Sequence, residues 1–412
     1  MIPNGRTRTF PAVLALATAC VLWAPAAAIA QPAISASIGR ALSSMDEPAI
    51  GVERRQTTAG SVEAEHVAAG GRLRLFYEFD GGTFATEGDW RYLENIAGAT
   101  VRLPFGGEKP KHAVYLTANG IWRDNGSSWS AVDYRGVRVM ANVELRPRDT
   151  ATYRFGYRLD GRNFPDLPAL DQVQHDGFVS LLFNLPSRTT LVGEAHVGAK
   201  SYAATVDTNW AVVEAGGTMA PRGMGRGVGP GLRGTWMGSA AASTVTENNA
   251  GMVVVFGRVA QSLSDRTGAW LQYSQRATFG RVPPVVVTTP ALFFDDGVYD
   301  DPFASDARVV TAALKHEFAS GVTLDVDVAR MLKDYTAALA LDLAGTTFAG
   351  DPLRSDRIWR SSAGVSIPMF PGRSGPVAVN LDVTYAFTRH RSNDAFYNYT
   401  SHGVATGFSF SY

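Results

Sequence analysis

Charged residues that alternate with apolar ones are the residues of this 412-residue chain best suited to do chemistry. Arginines recur at even-numbered positions in two neighbouring segments, and aspartates occupy single faces of two later segments. Side chains two residues apart in an extended strand point to the same face. Basic and acidic faces set opposite each other would orient polar solutes without breaking a bond. The residues are Arg138, Arg146, Arg154, Arg158, Asp325, Asp327 and Asp382.

The same charges have a second interpretation, in which they only neutralise their neighbours within a polar interior. Carboxylates and cations that could pair with them fall on adjacent predicted strands. They are Glu144, Arg276, Lys315 and Glu317. Both interpretations stay open at this point, and each could hold for different residues.

Catalytic chemistry has little support among the seven histidines. His402 and Ser401 are adjacent, so they point to opposite faces of a strand and cannot form a dyad. His390 and Ser392 share a face, but no third group completes a triad. No histidine pair has the spacing of a zinc site. The sequence therefore predicts neither an enzyme nor a bound metal or cofactor.

The C-terminal segment shows most clearly which elements must position these side chains. From residue 377 to 391, valine, leucine, tyrosine and phenylalanine alternate with alanine, asparagine, aspartate and threonine. After a polar break at 392–394, Val404, Phe408, Phe410 and Tyr412 alternate with glycine, alanine and serine. A strict period of two predicts a hairpin with one apolar and one polar face.

The same period recurs from residue 71 to the end, so the sequence predicts one domain at 71–412. Short connections near Pro147, Pro186, Ser264, Ser320 and Pro371 alternate with long ones. We predict about fourteen antiparallel strands, or sixteen if residues 201–250 hold a further hairpin. Residues 31–70 show little periodicity and are predicted to be a flexible segment.

The N-terminus has the layout of a cleavable secretory signal. Arg6 and Arg8 precede an apolar run that ends at Ala30, where we predict cleavage, so residues 1–30 form the signal peptide. Cys20 is the only cysteine and lies in this run. The mature chain would therefore have no disulfide and no thiolate chemistry.

These features together resemble bacterial outer-membrane β-barrel proteins of the porin type, at the level of the class. The resemblance implies a transmembrane up-and-down barrel in the outer membrane of a Gram-negative cell, with residues 31–70 in the periplasm. It implies contact with membrane lipid and lipopolysaccharide. It also implies that the barrel-assembly machinery reads the C-terminal aromatic residues Phe408, Phe410 and Tyr412. The formal net charge is zero, which argues against a nucleic-acid partner.

The sequence thus favours a passive, porin-like pore for small polar solutes, lined by the arginines and aspartates named above. A structural or accessory export barrel without an open pore is the alternative. The two differ in whether the lumen is open, which the sequence leaves undecided.

Overall fold

The chain folds into a closed antiparallel barrel of sixteen strands. The computed structural model describes residues 33–47, 51–68, 71–84, 91–107, 111–126, 130, 133–166, 168, 171–202, 249–280, 302–343, 346–369 and 378–411. The predicted signal peptide, Cys20 and Tyr412 lie outside the described residues. Each strand pairs with its neighbours in sequence, and β1 pairs with β16 to close the ring.

The strands are long enough to cross a bilayer at a tilt. Their bounds are β1 Ala33–Glu47, β2 Gly51–Ala68, β3 Gly71–Phe84, β4 Arg91–Phe105, β5 His112–Asn125, β6 Tyr134–Arg148, β7 Ala151–Asn163, β8 Gln172–Asn184, β9 Thr189–Tyr202, β10 Asn249–Ser262, β11 Thr267–Gly280, β12 Ser305–Glu317, β13 Thr323–Leu339, β14 Leu353–Pro368, β15 Ala378–Ser392 and β16 Tyr399–Ser411. Short 3-10 helices at Pro302–Ala304 and Ala395–Tyr397 precede β12 and β16.

The barrel has sixteen strands, which is the alternative to the predicted count of fourteen, but the additional pair is not the one expected within 201–250. The additional strands, β1 and β2, occupy the segment predicted to be flexible. Their apolar residues, such as Ile38, alternate with serine, glycine and alanine, whose short side chains blur the period. Pairing with β16, where Ile38 lies opposite Phe408, fixes β1 as a strand. The hairpin proposed within 201–250 falls largely outside the described residues.

The outer face of the barrel is apolar and exposed. Val139, Phe155, Val255 and Leu271 are each 45–56% exposed, although they belong to regular strands. A soluble protein would bury such a continuous belt, whereas a membrane barrel turns it toward lipid. No helix in the described part of the chain is long and apolar enough to span a membrane.

The two ends of the barrel differ in the length of their connections. At one end, β6–β7, β8–β9, β10–β11 and β12–β13 are joined by turns of two to five residues. At the other end, the connections include 203–248 and 281–304. This alternation confirms the predicted up-and-down topology. The predicted turn at Pro371 lies outside the described residues.

Candidate functional site

The inner face of β6 and β7 brings together arginines and carboxylates that the sequence separates. Outward residues such as Val137 and Val139 leave the even-numbered positions of β6 facing inward. The register sets Glu144 directly opposite Arg154, and Arg138 directly opposite Asp160. Directly opposed side chains on one face of an antiparallel pair lie close enough to form ion pairs.

Glu144 forms the first of these clusters. Its side chain is fully buried, and it binds two arginines whose side chains are about half exposed. Arg154 Nη2 lies 2.6 Å from Glu144 Oε2, and Arg146 Nε lies 2.8 Å from Glu144 Oε1. The carboxylate is thus hidden while both guanidinium groups reach the lumen.

Asp160 organises the second cluster. Arg138 donates to Asp160 Oδ2 from Nε at 2.7 Å, and Arg162 Nε lies 3.5 Å from the other carboxylate oxygen. The exposed fractions are 9% for the Asp160 side chain and 32% for Arg138. As in the first cluster, the acid is more buried than its principal partner.

Asp176, on β8, organises the third cluster. Arg158 forms an ion pair with it from the directly opposite position on β7. His196 on β9 lies 3.8 Å from Asp176 and also contacts Glu194. The three clusters therefore run across four consecutive strands.

We call this surface the basic wall. It consists of Arg138, Arg146, Arg154, Arg158 and Arg162 with Glu144, Asp160 and Asp176. Five arginines face three carboxylates, so positive charge is in excess before the His196–Glu194 pair is counted. A solute in the lumen would meet guanidinium groups, because those are the more exposed partners.

The three predicted acids also lie on inward positions, but their surroundings differ. Asp325 lies 3.8 Å from Lys315, with both side chains more than half exposed. Asp327 accepts a hydrogen bond from the Ser362 hydroxyl. Asp382 has no hydrogen-bond or ion-pair partner among the residues that the structure describes.

The sixteen-strand ring shifts which strands lie opposite each other. In a ring of sixteen, strands eight apart are opposite, so β7 faces β15 and β6 faces β14. Arg154 and Arg158 on β7 therefore face the wall that carries Asp382. In a ring of fourteen, strands seven apart are opposite, so the predicted count sets the arginines of β6 opposite Asp325 and Asp327. In the structure, β13 lies one strand away from that position.

A cavity of about 540 Å³ adjoins Asp382 on the inner wall. Three further carboxylates line it, from Glu78, Asp80 and Glu94 on β3 and β4. Asp80 accepts a hydrogen bond from Tyr92, and Glu94 accepts one from Tyr134. We call Asp382, Glu78, Asp80 and Glu94 the acidic wall. Glu78, Asp80 and Glu94 were not among the predicted pore-lining residues.

The second interpretation, in which the charges neutralise their neighbours, holds for some of these residues. Glu144 and Lys315 pair with the predicted residues, as described above. Arg276 donates to the backbone carbonyl and the hydroxyl of Ser305, both at 2.8 Å. No group of three or more potential metal ligands occurs in the described part of the chain.

A further cluster, missed from the sequence, lies at the long-loop end of β13–β16. Arg354 donates to Asp356 at 3.0 and 2.5 Å, and Asp356 lies 3.0 Å from His390 Nε2. The Arg354 guanidinium carbon lies 3.0 Å from the Tyr397 ring centroid and 4.3 Å from that of Tyr335. We call these five residues the Arg354 cluster.

The Arg354 cluster also accounts for His390 and its neighbour Ser392. His390 points to Asp356, whereas the Ser392 hydroxyl accepts a hydrogen bond from the Asp394 backbone. The two residues therefore form no dyad. Burial raises the pKa of Asp394 and that of Tyr397 in the adjoining connection.

No protein-family profile and no curated protein matches this sequence. Solved structures do. OccAB1 from Acinetobacter baumannii is similar over 93% of this chain and 97% of its own, with 10% identity and a TM-score of 0.51. OccK8 (OprE) from Pseudomonas aeruginosa is similar over 93% and 99%, with 12% identity and a TM-score of 0.48. Both are outer-membrane channels. At such identity the first likeness shows the fold, that of an outer-membrane β-barrel.

Proposed function

We propose that this protein is a passive channel for small polar solutes in the outer membrane of a Gram-negative cell. The observation that supports this proposal best is the basic wall on the inner face of a closed sixteen-strand barrel, where the side chains of Arg146 and Arg154 are about half exposed. Barrels of sixteen to eighteen strands are wide enough to leave an aqueous channel. Charges that served only to fill a closed interior would be buried on both sides of each pair.

The arrangement of charge supports a transverse field across the lumen. Arg154 and Arg158 lie on the strand opposite Asp382, and Asp382 itself has no described partner. A field of this kind favours hydrophilic over apolar solutes and orients dipolar ones. The proposed pore-lining residues remain Arg138, Arg146, Arg154, Arg158, Asp325, Asp327 and Asp382.

Single-channel recording in planar bilayers tests the proposal. The purified, refolded full chain should give steady ohmic steps, and their reversal potential in a salt gradient reports ion preference. Replacing Arg154 and Arg158 with glutamine should shift the preference toward cations, and Asp382→Asn should shift it toward anions. Arg135→Gln is a matched control, because Arg135 is exposed on the outer face of β6.

The outcomes separate the two candidate functions. Silence over many insertions of folded protein would contradict the channel and favour a structural or export barrel. If conductance steps occur but their reversal potential is unchanged by the substitutions at Arg154, Arg158 and Asp382, the channel is supported and the transverse field is contradicted.

Export and assembly belong to the same proposal. Residues 1–30 would be cleaved as a signal peptide, and Phe408, Phe410 and Tyr412 would be read by the barrel-assembly machinery. Phe408 and Phe410 are 44% and 42% exposed on the outer face of the closing strand, where another protein can reach them. Deleting residues 410–412 should abolish membrane insertion, measured as the heat-modifiable fraction. Phe279→Ser is the control, since Phe279 is 56% exposed on the outer face of β11.

A further inference from the structure

Five arginines lie on the outer face of four consecutive strands, β12 to β15. They occupy positions whose neighbours two residues away include Val310 and Trp359, which are 47% and 45% exposed. All five side chains are exposed. We call them the outer arginine patch: Arg308, Arg330, Arg357, Arg389 and Arg391.

The register packs these guanidinium groups together. Arg357 lies directly opposite Arg391, and Trp359 lies between Arg330 and Arg389 on its two neighbouring strands. Like charges directly opposite on one face of a sheet are destabilising. Arg357 and Arg391 therefore repel each other in the folded barrel, and an anion bound from outside the chain would relieve this repulsion.

The described residues supply little neutralising charge on this face. No arginine of the patch forms an ion pair or hydrogen bond with a described residue. Two described carboxylates share the outer face with the five arginines, so positive charge is in excess there, and neither carboxylate forms an ion pair with an arginine of the patch. Asp306 accepts from the Thr278 amide at 2.7 Å and its hydroxyl at 2.8 Å, and Asp334 accepts from Ser355 at 2.9 Å.

The position of the patch indicates which part of the membrane it meets. Arg391 is next to the last residue of β15, and Arg357 is four residues from the start of β14, both at the long-loop end. Toward the other end, the same strands carry outward Val328, Val383 and Phe387. A charged side chain on the lipid face is costly at mid-membrane and tolerated near the interface. The patch thus lies where the apolar belt meets the head groups of the extracellular leaflet.

A polar cavity adjoins the patch. Its volume is about 540 Å³, and Arg389 and Arg391 line it together with Asn398 and Thr400. Amide and hydroxyl donors beside two guanidinium groups suit the oxygens of a phosphate. The indole of Trp359 also suits head-group level.

We propose that the outer arginine patch binds the phosphate groups of lipopolysaccharide in the outer leaflet. Guanidinium groups match phosphate with two parallel hydrogen bonds each, and several arginines on adjacent strands can span a doubly phosphorylated sugar head group. Other outward arginines, Arg40, Arg91 and Arg135, stand singly on β1, β4 and β6. The site would therefore occupy one side of the barrel. The proposal is independent of whether the lumen conducts.

The test measures binding of purified bis-phosphorylated lipid A to the full barrel in detergent, by native mass spectrometry. The variant carries Arg357→Gln, Arg389→Gln and Arg391→Gln. A loss of roughly fivefold per arginine, or about 100-fold for three, is expected from the usual worth of a cation beside an anionic lipid surface. The single-site control Arg135→Gln should change affinity by less than about fivefold.

A second ligand identifies the recognised group. Dephosphorylated lipid A should bind the unmodified barrel as weakly as bis-phosphorylated lipid A binds the triple variant. Equal binding of both lipids to the unmodified barrel would overturn the proposal, because the acyl chains alone would then explain it. An unchanged affinity of the triple variant would overturn it too.

Folding of the variant is checked by heat-modifiable migration. If the glutamine variant fails to fold, the triple arginine-to-lysine variant replaces it. Lysine keeps the charge but loses the paired donors, so about a tenfold loss is expected. If the lysine variant binds bis-phosphorylated lipid A as tightly as the unmodified barrel, charge alone explains the binding and the proposed guanidinium site is contradicted. Single-channel conductance should be unaffected, which separates this result from failure of the proposed channel.

Discussion

The basic wall and the Arg354 cluster both place arginine beside a buried carboxylate, yet the arginines differ in their contact with water. The Arg154 side chain is 50% exposed, whereas that of Arg354 is 6% exposed. Arg154 keeps its solvation and needs one carboxylate. Arg354 has lost its solvation and is enclosed by Asp356 and two tyrosine rings. The same ion pair can therefore leave its arginine open to the lumen in one place and hold the barrel end together in another.

The Arg354 cluster fixes the connection between β15 and β16. Tyr397 belongs to the short helix Ala395–Tyr397, and its ring stacks on Arg354 of β14. Asp394 accepts hydrogen bonds from the backbone of Phe396 and Leu341, which ties the β13–β14 connection to the same point. The basic wall has no comparable role, because its arginines end in the lumen.

The largest expected effect comes from Asp356→Asn. Removing this carboxylate leaves Arg354 buried without a counter-charge, and breaking a buried pair in this way costs about 3–5 kcal/mol. The free energy of unfolding, from urea titration of the barrel in lipid vesicles, should fall by that amount. A cost below about 1 kcal/mol would show that water reaches Arg354.

Glu144→Gln makes the matching change in the basic wall and should cost less. Arg146 and Arg154 can turn to lumen water, so the loss should be about 1–3 kcal/mol, the usual result for a buried acceptor that loses its partners. The same titration measures it. The comparison between the two regions fails if Glu144→Gln costs as much as Asp356→Asn. The variant should also increase anion preference, because the excess of arginine grows.

The double change Asp325→Lys and Asp327→Lys should affect permeation more than stability. The Asp325–Lys315 pair is exposed, and exposed pairs contribute about 0–1 kcal/mol. The unfolding free energy should therefore change little while the reversal potential moves toward anion preference. An unchanged reversal potential would remove β13 from the pore lining. The control is Arg135→Gln, on the outer face.

The smallest expected effect concerns Asp394 and pH. Burial raises the pKa of Asp394 in the folded protein, so the folded state binds this proton more readily than the unfolded chain does. Its contribution to stability therefore increases as pH falls through the folded pKa. Asp394→Asn keeps an acceptor for Phe396 and should change stability by about 0.5 kcal/mol at neutral pH. It should also remove that pH dependence, measured by unfolding at pH 4 and pH 7.

Much of the fold could be predicted from the alternation of apolar and polar residues along the chain. The alternation of 377–411 predicted the last hairpin, and the inward positions of Arg138 and Arg154 followed from parity. β1 and β2 were not predicted as strands, because their many serine, glycine and alanine residues give only a weak alternation. Their strand structure depends on the pairing of β1 with β16.

The contacts of the Arg354 cluster could not be predicted from the alternation of side chains along a strand. Asp356 lies opposite Ser392 and diagonal to His390, so the contact depends on the register of β14 with β15. In the sequence His390 lies two residues from Ser392, and nothing in the local pattern indicates that its partner is Asp356, 34 residues earlier. A register is decided by many pairs acting together along two strands, and no local pattern contains it.

The sequence by itself thus determined the class, a barrel with an apolar outside and a charged inside, because side-chain direction in a strand depends only on position along the chain. The tertiary structure decided the strand number, the facing of β7 and β15, and which of the inward arginines are buried and which are solvated. Those properties depend on ring closure and register, which arise from contacts between residues far apart in the chain.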